Sequence, residues 1–333
     1  MRKLLIGALA AATMGLGLSP AAQAQEEVRI TQAVASFAFL PIDYAKASGI
    51  FEEEGLDVQQ IATRGGGPDL TALISGDVQF NAAAGTYQIG AIAAGREIVN
   101  VYNFYDRNLI GLVLSEEAAA ATGVSPDAPL KERLAALKGL KIGMTRPGSL
   151  TDKQVRHLLR QGGLSEDDAQ IVAIGGPPNL LSALDQGAID GFAISVPHYQ
   201  IAAQRHGAVI WVDNTRGDDP SIDPFMMESI LTTREYADAH PEIVAAMVRA
   251  VDRAVEEIAA STPEEVRAVV QDTFASVDPE TMLIGIEAVQ QALNTDGRVT
   301  MDMAENTMLL DGRTDQVSAK QLFDTFTAEF IPQ

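Results

Sequence analysis

The sequence predicts an α/β protein of two lobes joined by two chain crossovers, with an all-helical C-terminal tail. Three features carry that expectation. Short β-type apolar runs alternate with helical runs from residue 28 to residue 232, the pattern of strands linked by covering helices. A second such series begins near residue 140, after an Ala-rich stretch at 115–137 that Gly123-Val124-Ser125-Pro126 interrupts. From Thr233 onward the alternation stops and the pattern is helical. A tail with no sheet of its own must cover one already made. The length of 333 residues fits this division, at roughly 100–200 residues per domain.

The chain opens on a basic Met1-Arg2-Lys3, and residues 4–18 are a run of Leu, Ala, Gly, Ile, Met and a single Thr. A membrane span needs about 20 such residues, so the run reads as the core of a signal peptide. Ser19-Pro20 breaks it, and Ala22-Gln23-Ala24 supplies a small-x-small cleavage pattern. Residues 1–24 are therefore expected to be removed, with cleavage after Ala24 and export to a periplasm. Loss of Arg2 and Lys3 leaves 22 cations against 45 acids, a charge of −23. Such acidity repels phosphate backbones, which excludes nucleic acid as a partner and argues against an anionic membrane surface.

The elements follow in order. Strand 28–33 alternates Val28 and Ile30, and Pro41 opens the next helix, where its missing N–H costs nothing. Residues 56–61, 78–81, 98–104 and 109–114 read as strands. Between them lie a helix carrying Leu70, Leu73 and Ile74, stopped at Gly76, and another at 86–94. In the second series the strands are 140–144, 170–174, 191–194 and 209–212. Its helices are 151–161, opened by a Thr151-x-x-Gln154 capping box, one around Leu180, Leu181 and Leu184, and one from Pro197. The turn-rich 213–224 reads as a loop, and 225–232 as a last strand.

In the tail, Val244, Met247, Val248, Val251, Val255 and Ile258 mark one face of a helix over 241–260. Thr262-Pro263-Glu264-Glu265 and Asp278-Pro279 open two more, and 318–330 reads as a fourth. The chain thus passes between lobes near residues 110 and 228. Lobe I is 25–110 plus 228–333, and lobe II is 111–227. Repeated β-α units predict parallel sheets covered on both faces.

No catalytic constellation stands out. The chain has no cysteine, which excludes disulfides, thiolate zinc sites, Fe–S clusters and cysteine nucleophiles. It has no Gly-x-Ser-x-Gly, no Gly-x-x-x-x-Gly-Lys-Ser/Thr and no Gly-x-Gly-x-x-Gly. Its four histidines, His157, His198, His206 and His240, lack metal-ligand spacing. The informative features are five Gly- and hydroxyl-rich turns between a strand and a helix, where open α/β sheets bind ligands. They contain Ser36, Phe37 and Phe39; Arg64, Gly66 and Gly67; Gly85, Thr86 and Tyr87; Arg146, Gly148, Ser149 and Thr151; and Ser195, Pro197 and Tyr199. Helix N-termini at such turns favour an anion, and Arg64 and Arg146 suit bidentate pairing with a carboxylate or sulfonate.

Longer stretches carry a resemblance. Phe39-Leu40-Pro41, Gly49-Ile50-Phe51-Glu52-Glu53-Glu54-Gly55-Leu56-Asp57-Val58 and Ala72-Leu73-Ile74-Ser75-Gly76-Asp77-Val78-Gln79-Phe80 lie in the first half. Leu137-Lys138-Gly139-Leu140-Lys141-Ile142-Gly143, Gly148-Ser149, Gly187-Ala188-Ile189-Asp190-Gly191 and Pro241-Glu242-Ile243-Val244 follow. Together they resemble the substrate-binding proteins of ABC importers, in the NMT1/THI5-like group that binds sulfonates, taurine, nitrate and thiamine precursors.

The resemblance implies a type II periplasmic-binding-protein fold, two α/β lobes joined by two crossover strands, with the helical tail packing on the first lobe. It implies hinge closure on a solute, an ABC permease in the inner membrane as partner, and a monomer. Relatives with enzymatic activity use a cysteine that this chain lacks, so it implies binding without bond chemistry, with no cofactor and no metal. The ligand expected from the arginines and helix N-termini is a small organic anion of sulfonate or carboxylate type. Two alternatives stand beside it: a heteroaromatic solute such as a thiamine-precursor pyrimidine, held between Phe37, Phe39, Tyr87 and Tyr199, or a periplasmic enzyme on the same scaffold.

Overall fold

The computed structural model describes residues 25–32, 36–63 and 67–332. The signal-peptide reading of 1–24, and Arg64 and Gly66, lie outside the described residues. The first lobe runs β1 (Glu26–Gln32), α1 (Leu40–Ala47), α2 (Ile50–Glu53), β2 (Leu56–Ala62), α3 (Gly67–Ser75), β3 (Phe80–Ala84), α4 (Gly85–Ala93) and β4 (Ile98–Asn103). The second runs β5 (Ile110–Leu114), α5 (Glu116–Thr122), α6 (Leu130–Ala135), β6 (Lys141–Met144), α7 (Leu150–Gln161), β7 (Gln170–Ala173), α8 (Pro177–Asp185), β8 (Gly191–Ser195), α9 (His198–His206) and β9 (Val209–Val212). The chain then returns through β10 (Glu228–Thr233) to the helices α10 (Arg234–Ala239), α11 (Pro241–Ala260), α12 (Pro263–Val270), α13 (Pro279–Gln290), α14 (Met301–Asp311) and α15 (Ala319–Phe323).

Each lobe holds one five-stranded sheet, in the orders β2-β1-β3-β10-β4 and β7-β6-β8-β5-β9. The sheets are mixed rather than wholly parallel. β1 runs parallel to β2 and β3, and β6 parallel to β7 and β8, but β10 is antiparallel to β3 and β4, and β5 to β8 and β9. The reason is topological: β5 and β10 enter their sheets from the other lobe and so arrive reversed. The two crossovers lie side by side. Phe104 N donates to Glu228 O at 2.8 Å, and Phe225 N to Asp106 O at 2.7 Å.

Most helix starts follow their caps. Thr262 and Glu265 form the expected capping box of α12, and Asp278 caps α13 from Thr281 N. One cap differs. Ser149, not Thr151, caps α7 by accepting from Asp152 N, and Thr151 lies inside the helix with its hydroxyl turned to Thr145. The loop 213–224 contains two 3-10 turns, Asn214–Arg216 and Pro220–Ile222, closed by Asp213 and Asp219 side chains. The expected strand from 225 starts only at Glu228.

The tail covers the first lobe through α11, which packs on α1, α2 and β4. Its apolar stripe is fully buried, each side chain there contributing roughly 1.5–3 kcal/mol of transfer free energy. The tail also does more than expected. The helix expected over 318–330 is only α15, and α14, which the sequence reading did not identify, packs on both α4 and α7 and so touches both lobes. Among the described residues no helix is long and apolar enough to cross a membrane. His157 is buried within lobe II, its Nε2 2.8 Å from Asp219 Oδ2.

Asp43, on α1, is a cost within this frame. Gln60 Nε2 donates to its Oδ1 at 2.9 Å, but Oδ2 is buried without a partner among the described residues. Burial pushes its carboxyl from 3.8 up to about 6, against the opposing pull of Gln60 and Lys46. The folded chain therefore binds this proton more tightly than the unfolded chain. Its stability contribution is full below pH 3.8 and is lost as pH rises through about 6. The penalty at neutral pH is up to roughly 3 kcal/mol. Asp43→Asn is expected to stabilise the protein at pH 8 and to do much less at pH 4. Urea unfolding at the two pH values checks this, and an equal effect at both would exclude titration of Asp43 as the cause.

Candidate functional site

Strand ends from both lobes converge on one chamber between the sheets. It is lined from lobe I by Ser36, Ala38, Phe39, Ala84 and Tyr87, and from lobe II by Thr145, Ser149, Leu150, Thr151 and Ser195. Ile110, Met227 and Glu228, where the crossovers enter their sheets, complete it. Its volume is about 140 Å³, below the ~300–1,000 Å³ of drug-sized sites, so it suits a solute of few heavy atoms. A wider hollow of about 450 Å³ adjoins it at Tyr87, lined also by Leu70, Thr86, Gly90, Gly148, Lys153, Asp311 and Arg313.

The lobe II wall is a cluster of hydroxyls on the turn into α7. Thr145 Oγ1 donates to Ser149 Oγ at 2.9 Å and lies 2.8 Å from Thr151 Oγ1, which is 2.9 Å from Ser149 Oγ. Such a ring consumes its own protons but can turn them to a ligand oxygen. The first N–H groups of α7 have no carbonyl within the helix, so this wall carries partial positive charge. Asp152 already answers part of it, accepting from Gly148 N at 2.7 Å. Gly148 adopts a left-handed φ of 76° to make that turn.

The lobe I wall has a different character. Ser36 caps the 3-10 turn Phe37–Phe39 by accepting from Ala38 N. The α4 turn comes close to the return crossover: a Cβ on Gly85 would lie 2.8 Å from Met226 Cβ, so only glycine fits. Next to it stands Glu228, 7% exposed, with Oε2 buried and without a hydrogen-bond partner among the described residues. Burial first, then the Asp69 carboxylate, pushes its carboxyl well above the usual range. Asp69 is itself buried on α3 and accepts from Thr63 Oγ1. Burial, with Glu228 adding, also raises the Tyr87 phenol, while the Arg146 guanidinium beside it acts the other way.

A charged cluster spans the lobes at the rim. Lys153 Nζ, on α7, lies 2.6 Å from Asp311 Oδ2, and Arg313 reaches the same carboxylate at 2.5 and 2.9 Å. Asp311 has a fully buried side chain. Burial opposes its charge, yet Arg313 and Lys153 outweigh burial and hold its carboxyl below the usual range. Lys153 shares that one carboxylate with Arg313, and burial lowers its proton affinity more than Asp311 restores it. Its Nζ also sits 5.8 Å from the Tyr87 ring centroid.

The structure distributes the sequence candidates unevenly. Ser36, Phe39, Tyr87, Ser149, Thr151 and Ser195 line the chamber; Thr86 and Gly148 line the outer hollow. Arg146 is exposed at the rim, and Gly67 opens α3. Gly85 shapes the α4 turn without lining either space. Phe37 is elsewhere, stacked on Phe274 at 4.6 Å. Pro197 packs toward Gly285 of α13. Tyr199 is buried in lobe II, its hydroxyl donating to Asp213 at 2.8 Å. The four-aromatic sandwich is thus not assembled: only Phe39 and Tyr87 reach the chamber. Thr145 and Glu228 went unread in the sequence, although an acid opening an apolar strand after Phe225-Met226-Met227 was a legible signal for Glu228. Among the described residues no cluster of three or more His, Asp or Glu is placed to hold a metal ion.

Residues 36–266 match the family model described as NMT1/THI5 like. The putative aliphatic sulfonates-binding protein of Bacillus subtilis (strain 168) is 24% identical over 221 residues, covering 65% of this chain. The match spans 61% of that relative's own length. Among solved structures, a protein from Bordetella bronchiseptica RB50 aligns with a TM-score of 0.75 at 24% identity, over 91% of this chain and 95% of its own. The periplasmic aliphatic sulphonate binding protein of Escherichia coli gives 0.68 at 19% identity, over 89% and 96%. At these identities the structural likeness establishes the fold, two α/β lobes of the type II periplasmic-binding kind. With a family model covering most of its length, the chain belongs to the NMT1/THI5-like family.

Proposed function

We propose that this protein is the periplasmic solute-binding component of an ABC importer, that its ligand is a small organic anion of sulfonate or carboxylate type, and that capture proceeds by hinge closure. One observation carries the reading: a small chamber lined by strand ends of both lobes, with a hydroxyl cluster at the N-terminus of α7 as one wall. Closure follows from the crossovers, where a few residues between β4 and β5 and before β10 absorb the rotation. An oxyanion at the α7 wall would accept from Ser149, Thr151 and Thr145 and from free N–H groups. The relatives' names agree with an oxygen-rich anion. The role asks for binding and release, with the ligand unchanged and the exported, monomeric protein handing it to a permease.

Thermal shift with one- to six-carbon alkanesulfonates, matching carboxylates and nitrate tests the ligand class. At 100-fold excess over the dissociation constant, a true ligand stabilises by about 2.7 kcal/mol. Ser149→Ala is expected to weaken the best anion about tenfold, since it removes both a donor and the α7 cap. Equal stabilisation by neutral isosteres would sink the anion reading, and conversion of the recovered ligand would sink the binding role.

The Lys153–Asp311–Arg313 cluster is proposed to hold the closed state. Breaking a buried pair costs on the order of 3–5 kcal/mol while the lobes stay shut, but in an open form Lys153 regains water. Asp311→Asn is therefore expected to accelerate ligand release by about tenfold or more and to raise the radius of gyration of the ligand-free protein. Stopped-flow dissociation and small-angle scattering report the two effects; no change in either would remove the cluster from the closing step.

A further inference from the structure

We propose that Asn108 and Gln154 are positioning residues for the solute site: their buried hydrogen bond ties the first turns of α7 to the crossover that enters β5, and so holds the hydroxyl wall in register with the rest of lobe II's side of the chamber. The inference rests on the chamber being the solute site, and adds the residues that hold its shape.

The sequence places Gln154 in a capping box with Thr151, but in the folded chain Ser149 is the cap. Gln154 turns inward instead. It is fully buried, and its Oε1 accepts from Asn108 Nδ2 at 2.7 Å. Asn108 is 1% exposed, and its own Oδ1 accepts from Ile110 N at 2.8 Å. One side chain thus closes the turn into β5 and reaches across to α7. Sealed from water, such a bond is electrostatically stronger than at the surface, and breaking it strands a buried polar group. It is a rigid link.

The link sits where the chamber's lobe II residues meet. Gln154 lies one turn past Leu150 and Thr151, which line the chamber. On the crossover side, Leu109 O accepts from Val196 N at 3.1 Å, beside Ser195, and Ile110 O accepts from Asn214 Nδ2 at 2.8 Å. Ser195 and Ile110 are also in the lining, whereas Asn108 and Gln154 are not. A change at either therefore reaches a ligand only by moving the wall. Thr145, Ser149 and Thr151 already bond one another at 2.8–2.9 Å, so they can serve a ligand oxygen only from a narrow range of positions.

A double-mutant cycle on the mature protein tests this, with ethanesulfonate, propanoate and nitrate as probes. Calorimetry reads affinity, and thermal unfolding reads stability. Gln154→Met keeps the side chain's length and removes its amide, and Asn108→Ala removes the donor. Gln154→Met is expected to weaken the tightest-binding probe by about tenfold, of the order of one hydrogen bond. Adding it to Asn108→Ala is expected to weaken binding no further, because the pair is already broken. Circular dichroism confirms that each variant folds. Should Asn108→Ala not fold, the comparison of affinity with stability in Gln154→Met decides alone. If Gln154→Met lowers the melting temperature but leaves affinity at the wild-type value, the bond is only structural, and this inference falls while the anion-binding role stands. If the two losses multiply in the double variant, the residues act apart and the inference falls as well. If no probe binds the wild type, both readings fall.

Discussion

The arrangement depends on the antiparallel contact between the two crossovers. Two backbone hydrogen bonds, Phe104 N to Glu228 O and Phe225 N to Asp106 O, tie together segments more than a hundred residues apart in the chain. They lie where β5 and β10 enter their sheets from the other lobe, reversed, so that each sheet is mixed. They also set where the chamber lies, because Ile110 and Glu228, the first residues of those two strands, line it.

Around that chamber the chemistry divides by lobe. Lobe II contributes hydroxyls, a helix N-terminus and a carboxylate, Asp152, that already uses part of it. Lobe I contributes carboxyls, Asp69 and Glu228, and Glu228 is buried beside Asp69 in surroundings that disfavour its charge. Tyr87 lies between the two and touches everything that matters: the chamber, the outer hollow, the Arg146 guanidinium and Lys153 of the inter-lobe cluster. Net charge says nothing of this local polarity. A chain with 45 acids and 24 cations still concentrates Lys153, Arg313 and Arg146 at one rim.

Much of the fold was legible because its signals are local. The α11 stripe, the α12 capping box and the β-α alternation rest on neighbours within a few residues, and these elements stand where the pattern put them. Strand direction was not legible, since reversal of β5 and β10 depends on which lobe precedes them. α14 was missed because apolar side chains are spread around it rather than confined to one stripe: it is covered from α4, α7 and α15 together. The site followed the same division. Turns that open helices identified Ser36, Tyr87, Ser149 and Thr151. Aromatic type alone misled for Phe37 and Tyr199, whose rings fill cores against Phe274 and beside Gly111. Glu228 became visible only when burial and missing partners could be read side by side.

The position of β10 also orders how this chain can assemble. β4 pairs with no other strand of its sheet, so residues 98–103 have no lateral partner until residues 228–233 arrive. Lobe II, by contrast, draws β5 to β9 from one continuous stretch and can complete its sheet first. A chain emerging N-terminus first thus carries a half-built first lobe, with a gap beside β3, while the whole second lobe is made. Closing that gap is a long-range step, slow by its loop entropy. Until then the unfilled edge of β3 is open to pairing with other chains.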